Sequence, residues 1–138
     1  MLKTSQNLLF LVVIAGGSGT RFWPKSTVKK PKQLLSFGSQ DSLLGQTVKR
    51  FDSLVPLGQR MIVTTRSLGK AVLEQMAAEG VGAVAVLGEP QGRNTAACVY
   101  WAAREVAAKN PDGVMLVMPA DHHIAHPEEQ TLFASRRK

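Results

Sequence analysis

Four short aliphatic runs alternate along the chain with three amphipathic stretches, and this alternation constrains the fold more than any other feature. The runs lie at residues 8–15, 61–65, 83–87 and 114–118. Aliphatic runs without polar alternation are typical of strands in a parallel sheet that helices cover on both faces. The order β-α-β-α-β-α-β therefore predicts a doubly wound α/β domain with a parallel sheet and right-handed crossovers.

The amphipathic stretches carry helix signals at their ends. We expect them to be bounded by Ser42 as the N-cap of the first, by Ser67 and Gly80 around the second, and by Asn94 or Thr95 and Pro111 around the third. The apolar side chains predicted to share one face of each helix are Leu44, Val48 and Phe51, then Val72, Leu73, Met76 and Ala77, then Val99, Ala102, Ala103, Val106 and Ala107. Residues 127–129 resemble the first turn of a fourth helix.

The length and the charge of the chain limit its class. Its 138 residues suit a single domain, which we expect to span residues 1–138. Lysine and arginine number 17 against 10 acidic residues, and the formal charge of +7 favours an anionic partner. No apolar run approaches the roughly 20 residues that cross a bilayer, so no membrane segment is expected. The single cysteine, Cys98, permits no internal disulfide, which favours a cytoplasmic location.

The interval from Gly16 to Asp41 follows the first predicted strand and shows no helical or strand period. Gly16, Gly17 and Gly19 allow backbone N–H groups to approach an anion without a Cβ atom in the way. The next residues include five basic ones and no acidic one, namely Arg21, Lys25, Lys29, Lys30 and Lys32. The sequence therefore predicts a phosphate-binding loop. Since no aromatic-interleaved strand or recognition helix accompanies the basic cluster, nucleic acid is disfavoured as a partner.

Two common phosphate loops do not fit this interval. The P-loop pattern needs Gly-Lys followed by Ser or Thr, but Thr20 and Arg21 follow Gly19. The dinucleotide-binding pattern needs a third glycine at the position where Phe22 stands. An ordinary ATPase site and an ordinary dinucleotide site are therefore both excluded.

The loop residues instead resemble the signature of sugar-1-phosphate nucleotidylyltransferases. The matching stretches are Gly-Gly-Ser-Gly-Thr-Arg-Phe-Trp-Pro-Lys-Ser at 16–26 and Pro-Lys-Gln at 31–33. Later motifs are similar to the mannose-1-phosphate guanylyltransferase branch, and they are Ser-Leu-Leu and Gln-Thr within 42–47, Glu-Pro at 89–90, Arg-Asn-Thr-Ala at 93–96 and Pro-Ala-Asp-His at 119–122. The resemblance implies a Rossmann-like fold of the nucleotide-diphospho-sugar transferase type. It also implies transfer of GMP from GTP to mannose 1-phosphate, which yields GDP-mannose and pyrophosphate.

The resemblance assigns roles to individual residues. The residues implied to bind the nucleotide are Ala15, Gly16, Gly17, Gly19, Thr20, Glu89, Arg93, Asn94 and Thr95. Arg21 is implied to stabilise the departing β- and γ-phosphates, since a planar guanidinium makes bidentate contacts with phosphate. Lys32 is similar to the family's lysine that neutralises charge at the α-phosphate. A solvated surface lysine is the alternative for Lys32.

Asp121 directly follows the fourth predicted strand. In a doubly wound sheet of order 3-2-1-4, the first and fourth strands are neighbours at the point where ligands bind, so Asp121 is expected to face the glycine loop. A carboxylate beside a triphosphate is a usual Mg²⁺ ligand, and the resemblance implies the same role. The alternative is an Asx turn or a helix cap after the strand.

Glu89 bears on the choice of base. Guanine offers N1–H and an exocyclic NH₂ side by side, and one carboxylate can accept both hydrogen bonds, whereas uracil and thymine offer a single donor. A glutamate near the end of the third aliphatic run therefore favours GTP. The alternative is a loop glutamate that caps the third helix, whose N-terminal end favours a negative charge.

Two alternatives to this reaction stay open. They are a nucleotidylyltransferase for another sugar 1-phosphate or base, and a catalytically incomplete GTP-binding module. Because the resembled family continues well past the Pro-Ala-Asp-His motif, we expect the sequence to be a truncated, N-terminal portion of a catalytic domain that binds nucleotide without completing turnover. The fourth strand is then an uncovered sheet edge, which predicts self-association as a homo-oligomer.

Overall fold

The computed structural model describes residues 8–16, 32–36, 40–82, 84–91 and 95–120. The strands in these residues are β1 (Leu9–Ile14), β2 (Arg60–Thr65), β3 (Ala85–Glu89) and β4 (Val114–Pro119). The α-helices are α1 (Leu43–Lys49), α2 (Arg66–Ala78) and α3 (Thr95–Lys109), and short 3₁₀ helices span Lys32–Leu34 and Leu57–Gln59. The predicted alternation of strands and helices is confirmed for this part of the chain.

The strands form one parallel sheet in the order β3-β2-β1-β4. Ile14, the last residue of β1, is paired with Val63 of β2 and with Pro119 of β4. Thr65 at the end of β2 is paired with Glu89 at the end of β3. The last residues of the four strands therefore meet at one side of the sheet, which we call the carboxyl edge. The predicted strand order is confirmed.

The sheet separates two apolar cores, because side chains alternate between its faces. On one face, Leu11 and Val13 pack with buried residues of α1 and α2, such as Val48 and Met76. On the other face, Val12 packs with buried residues of α3. The chain runs across the sheet from β1 through β2 to β3, and then returns past β1 to β4. Right-handed crossovers that run in opposite directions place their helices on opposite faces of the sheet. The doubly wound α/β prediction is therefore confirmed.

Two helix ends follow the predicted signals. Ser42 is the N-cap of α1, and its hydroxyl oxygen accepts a backbone hydrogen bond of 3.1 Å from the first turn. Gly80 ends α2 with a φ of +73°, a left-handed conformation that favours glycine. The N–H groups of Gly80 and Val81 donate to the carbonyls of Ala77 and Met76 at 3.2 and 2.9 Å, which completes a Schellman motif.

The predicted apolar face of α2 is partly wrong. The buried residues are Leu68, Val72 and Met76, whereas Leu73 is 51% exposed and Ala77 is exposed as well. Leu73 lies about 100° around the helix axis from Val72. The helix fully buries one row of residues four positions apart, with Ala71 partly buried beside it, so the contact is shifted away from the face that the sequence pattern indicates.

Some boundaries also differ from the prediction. α2 begins at Arg66 with Thr65 as its N-cap, and not at Ser67, because the chain enters the helix directly from β2. β3 begins and ends two residues later than the predicted run 83–87, because Thr65 at the end of β2 pairs with Glu89. The interval predicted to lack regular structure contains the 3₁₀ helix Lys32–Leu34.

α3 spans its predicted range but buries a different set of residues. Its buried side chains are Cys98, Ala102 and Val106, while the predicted Val99 and Ala103 are not among them and Ala107 is exposed. The contact face is therefore rotated toward Cys98. The fourth helix expected after Pro127 lies outside the described residues. Among the helices that the structure describes, none is long and apolar enough to cross a membrane.

Candidate functional site

The carboxyl edge contains those predicted site residues that the structure describes. Ala15 and Gly16 follow β1, Glu89 ends β3, and Thr95 begins α3. The backbone of Lys32 begins the 3₁₀ helix that packs near the end of β1. The other predicted site residues lie outside the described residues, and they are Gly17, Gly19, Thr20, Arg21, Arg93, Asn94 and Asp121.

The end of β4 lies directly beside the end of β1. The N–H of Ala120 donates to the carbonyl of Ile14 at 3.1 Å, and Ala120 is buried. Asp121 is the next residue of the chain, so the backbone that leads to it is held next to the start of the glycine loop. This is the switch point of the sheet, where the crossovers on the two sides of β1 run in opposite directions and ligands commonly bind.

Ala15, the residue before the glycine loop, is held by three hydrogen bonds. Its N–H donates to the carbonyl of Val63 at 2.8 Å. Its carbonyl oxygen accepts from the Thr64 hydroxyl at 2.9 Å and from the side-chain amide of Gln33 at 3.1 Å. Both side chains are buried. Since hydrogen bonds shielded from water are strong, the peptide group that begins the loop has a defined orientation.

Gly16 differs sharply in its surroundings from the residue before it. Gly16 is exposed, and a Cβ atom built on it would meet nothing within 4 Å. Among the residues that the structure describes, none therefore fills the position that a side chain at Gly16 would take.

The sequence does not predict the contacts of Gln33 and Thr64. In the sequence, Gln33 is part of the Pro-Lys-Gln motif and Thr64 is part of an aliphatic run. A signal was present, because a buried polar side chain almost always has a hydrogen-bond partner. The partner itself, Ala15, is 18 and 49 positions away in sequence, so only the tertiary structure identifies it.

Glu89 ends β3 as a buried carboxylate that is 6% exposed. The preceding Gly88 lies so close to α2 that a Cβ atom on it would be 3.1 Å from the Cα atom of Arg66. The missing side chain at Gly88 therefore permits the tight packing of this strand end. The thiol of Cys98, in the first turn of α3, donates a hydrogen bond to the Glu89 carboxylate. Glu89 thus links the end of β3 to the first turn of α3 at the carboxyl edge.

Burial, together with the hydrogen bond to Glu89 and its negative charge, raises the pKa of Cys98 from 9.0 to about 11. At pH 8 we therefore expect iodoacetamide to alkylate the native chain at least ~10-fold more slowly than the chain in urea, because the thiolate is the reactive form. The free energy of unfolding should also fall as pH rises from 9 to about 11, since the unfolded thiol ionises first.

Mass spectrometry of the alkylated chain and urea titrations at pH 8, 9, 10 and 11 measure these two effects. Cys98→Ala is the control, because it lacks the ionisable thiol and should show a shallower loss of stability across the same pH range. Equal alkylation rates for native and unfolded chains would contradict the buried, protonated thiol.

The Ser-Leu-Leu motif has a packing role in the structure. Both the backbone N–H and the hydroxyl of Ser42 donate to the carboxylate of Glu79, the hydroxyl at 3.0 Å. Leu43 and Leu44 are buried. The motif therefore joins the start of α1 to the end of α2 and fills the core between them.

These features define the class of doubly wound α/β proteins, in which ligands bind at the carboxyl ends of parallel strands. Residues 11–138 match the family model described as nucleotidyl transferase, and the chain belongs to this family. The resemblance shown by the loop residues is therefore confirmed at the level of the family, which is a family of transferase enzymes.

Curated relatives cover most of the chain. The alginate biosynthesis protein AlgA of Pseudomonas aeruginosa is 41% identical over 125 residues, which cover 88% of this chain and 24% of that protein. The mannose-1-phosphate guanylyltransferase of Sinorhizobium fredii is 38% identical over 113 residues, which cover 81% of this chain and 22% of that protein. The chain thus spans about a quarter of the length of the curated relatives it matches.

A solved structure shares the fold. The mannose-1-phosphate geranyltransferase from Thermus thermophilus superposes on this chain with a TM-score of 0.76 at 32% identity. The superposition covers 93% of this chain and 37% of that one. The name of the Sinorhizobium fredii relative confirms the predicted similarity to the mannose-1-phosphate guanylyltransferase branch, and this neighbour shares its mannose-1-phosphate transferase description and the fold.

Proposed function

We propose that this chain carries the nucleotide-binding part of a mannose-1-phosphate guanylyltransferase. Such an enzyme transfers GMP from GTP to mannose 1-phosphate and releases pyrophosphate. The observation that carries the proposal is the position of Ala15 and Gly16, which leave β1 directly beside the end of β4. Membership of the family and the name of the Sinorhizobium fredii relative support the choice of reaction.

The reaction requires positioning and charge neutralisation from the protein. A phosphate oxygen of mannose 1-phosphate attacks the α-phosphorus of GTP, a new P–O bond forms, and the bond to the bridging oxygen breaks as pyrophosphate leaves. Because the nucleophile is already an anion, no side-chain nucleophile is required, and in-line placement supplies much of the rate. The proposed cradle for the triphosphate is the backbone of Ala15, Gly16, Gly17, Gly19 and Thr20.

Two basic residues complete the proposed phosphate site. Arg21 is proposed to stabilise the β- and γ-phosphates as they depart, through bidentate contacts of its guanidinium. Lys32 is proposed to neutralise the charge that gathers at the α-phosphate in the transition state. The bond from Gln33 to Ala15 supports this role of Lys32, because it holds the adjacent backbone near the start of the loop.

Asp121 is proposed to hold a Mg²⁺ ion together with the phosphates. The described backbone supports this role, because the N–H of Ala120 donates to the carbonyl of Ile14 at 3.1 Å at the switch point, and Asp121 is the next residue of the chain. Mg²⁺ commonly takes one or two carboxylates and completes its shell with phosphate oxygens and water, so a single aspartate here suffices. When bound, the ion neutralises phosphate charge and polarises the reacting phosphoryl group.

Glu89 is proposed to accept hydrogen bonds from the pairing edge of guanine, with Arg93, Asn94 and Thr95 beside the nucleotide. The position of Glu89 at the carboxyl edge supports this role. A carboxylate has about four acceptor sites, so the hydrogen bond from Cys98 leaves acceptors for the base. The competing role is a structural bond between β3 and α3.

The variant Glu89→Gln separates these two roles. It preserves size but replaces one acceptor with a donor, so GTP affinity should fall about 10-fold while ATP affinity stays within about twofold. Isothermal titration with each nucleotide in the presence of Mg²⁺ measures both constants. Equal losses for GTP and ATP would assign Glu89 to the structural role.

The proposed function is tested by titrating the chain with GTP, ATP, UTP and mannose 1-phosphate in the presence of Mg²⁺. We expect GTP to bind more tightly than ATP and UTP. Chromatography of a parallel reaction with GTP and mannose 1-phosphate detects any GDP-mannose formed. Absence of GTP binding by the folded chain would overturn the proposal, and tighter binding of UTP or ATP would assign another base.

We also propose a cytoplasmic location and self-association as a homo-oligomer. The free, buried thiol of Cys98 supports a reducing compartment. β4 forms one edge of the sheet in the described residues, and an uncovered edge favours pairing with a second copy. Light scattering after size-exclusion chromatography measures the oligomeric state.

A further inference from the structure

The carbonyl group of Ala15 is turned into the protein by side chains from two different elements. Gln33 belongs to the 3₁₀ helix that follows the basic loop, and Thr64 belongs to β2. Gln33 is 4% exposed and Thr64 is fully buried, and both donate to the same carbonyl oxygen. Two independent donors therefore converge on one acceptor at the residue where the chain leaves the sheet.

This convergence sets the direction of the next N–H group. A peptide group is planar and trans, so the carbonyl of Ala15 and the N–H of Gly16 point in opposite directions. The N–H of Gly16 therefore points away from Gln33 and Thr64. Gly16 is exposed, and no described residue lies within 4 Å of the position that its Cβ atom would take. If the same peptide group were turned over, it would present a carbonyl oxygen, which repels an anion.

We propose that Gln33 and Thr64 are positioning residues for the triphosphate. By holding the carbonyl of Ala15, they make the first group of the glycine loop a hydrogen-bond donor toward the phosphates. This inference rests on the proposed function, because it presumes that a nucleotide triphosphate binds at the loop. Neither side chain contacts the nucleotide, and both act through the backbone of Ala15 and Gly16.

Four variants, three single and one double, test the proposal in the full chain. Gln33→Met and Thr64→Val keep the side-chain volume and each remove one donor, whereas Thr64→Ser retains the hydroxyl. Each loss of a donor should weaken GTP binding about three- to tenfold, and Thr64→Ser should bind GTP like the wild type. In the double variant Q33M/T64V the carbonyl has lost both side-chain donors, so the loss of affinity should exceed the product of the two single losses.

The decisive measurement is the ratio of the affinities for GTP and GMP, by isothermal titration with Mg²⁺. A positioning role acts through the phosphates, so the preference for GTP over GMP should shrink in Gln33→Met and Thr64→Val. A purely structural role would lower the midpoint of thermal unfolding without changing this ratio. Circular dichroism at the titration temperature confirms that each variant is folded.

Gln59→Met is the matched control. The side-chain amide of Gln59 donates to the carbonyl of Leu9 at 3.1 Å, so the same chemistry occurs at the opposite end of β1. Gln59→Met should lower stability and leave the ratio of GTP to GMP affinities unchanged.

The outcomes separate this inference from the proposed function. If the wild type binds GTP and both donor-deleting variants retain the wild-type ratio, or if Gln59→Met changes it equally, the positioning role is overturned. If the wild type binds no GTP, the proposed function fails and this inference fails with it. If Gln33→Met does not fold, the ratios of GTP to GMP affinity in Thr64→Val and Thr64→Ser test the positioning role by themselves.

Discussion

Replacing Arg21 or Lys32 with glutamate is expected to weaken GTP binding more than 10-fold. A charge-assisted hydrogen bond contributes about 1.5–3 kcal/mol, and the reversed charge adds repulsion from the phosphates. The basic stretch after the glycines contains no acidic residue that would compensate. Isothermal titration of each variant with GTP and Mg²⁺ measures the effect.

Lys109→Glu is the control for the change in net charge. Lys109 is exposed and is the last residue of α3, whose first residue lies at the carboxyl edge. It is therefore expected to lie far from the nucleotide, and its charge reversal should leave GTP affinity within about twofold at physiological salt, where charges beyond about 8 Å are screened. Wild-type affinity in both Arg21→Glu and Lys32→Glu would remove these residues from the proposed site. An equal loss in Lys109→Glu would attribute the effect to overall charge.

Met76→Ala is expected to lower the free energy of unfolding by about 2–5 kcal/mol. Met76 is 1% exposed and packs in the core between α2 and the sheet. Truncation removes buried methylene and methyl groups and leaves a cavity that the surrounding side chains fill only in part. Because a small domain has a total stability of about 5–15 kcal/mol, this single change should be plainly visible in urea titrations followed by circular dichroism.

Leu73→Ala, on the same helix, is the matched control. The side chain of Leu73 is 51% exposed, so its truncation should change the free energy of unfolding by at most about 0.5 kcal/mol. The sequence pattern predicts that both residues lie in the core, whereas the structure places only Met76 there. If Leu73→Ala lowered the free energy of unfolding as much as Met76→Ala does, the result would support the sequence pattern and contradict the structure.

Signals that depend on neighbouring residues were predicted well from the sequence. Ser42 caps α1 and Gly80 ends α2, because a hydroxyl N-cap and a positive φ are requirements of the local backbone. The strand order and the doubly wound arrangement were also predicted, since right-handed crossovers allow few topologies for this alternation of elements.

Features that depend on which side of a helix meets the sheet were predicted less well. Leu73 was expected in the core of α2 and is exposed, whereas Cys98, which the predicted apolar face of α3 did not include, is buried against the second core. The periodicity of a sequence indicates an apolar face of a helix, but it does not show which part of that face the sheet covers. That part is set by the position of the helix on the sheet, which the local sequence does not encode.

The sequence by itself determined the class of fold, the family and the loop that bears the phosphate-binding signature. Each of these follows from the order of elements or from residues close together in the chain, such as Gly16, Gly17 and Gly19. Only the tertiary structure decided how the loop begins. The donors to the carbonyl of Ala15 are Gln33 and Thr64, which are brought to it by the 3₁₀ helix and by β2. A hydrogen bond between distant residues has no local pattern, so its partners become known only when the strands pair and the 3₁₀ helix packs beside them.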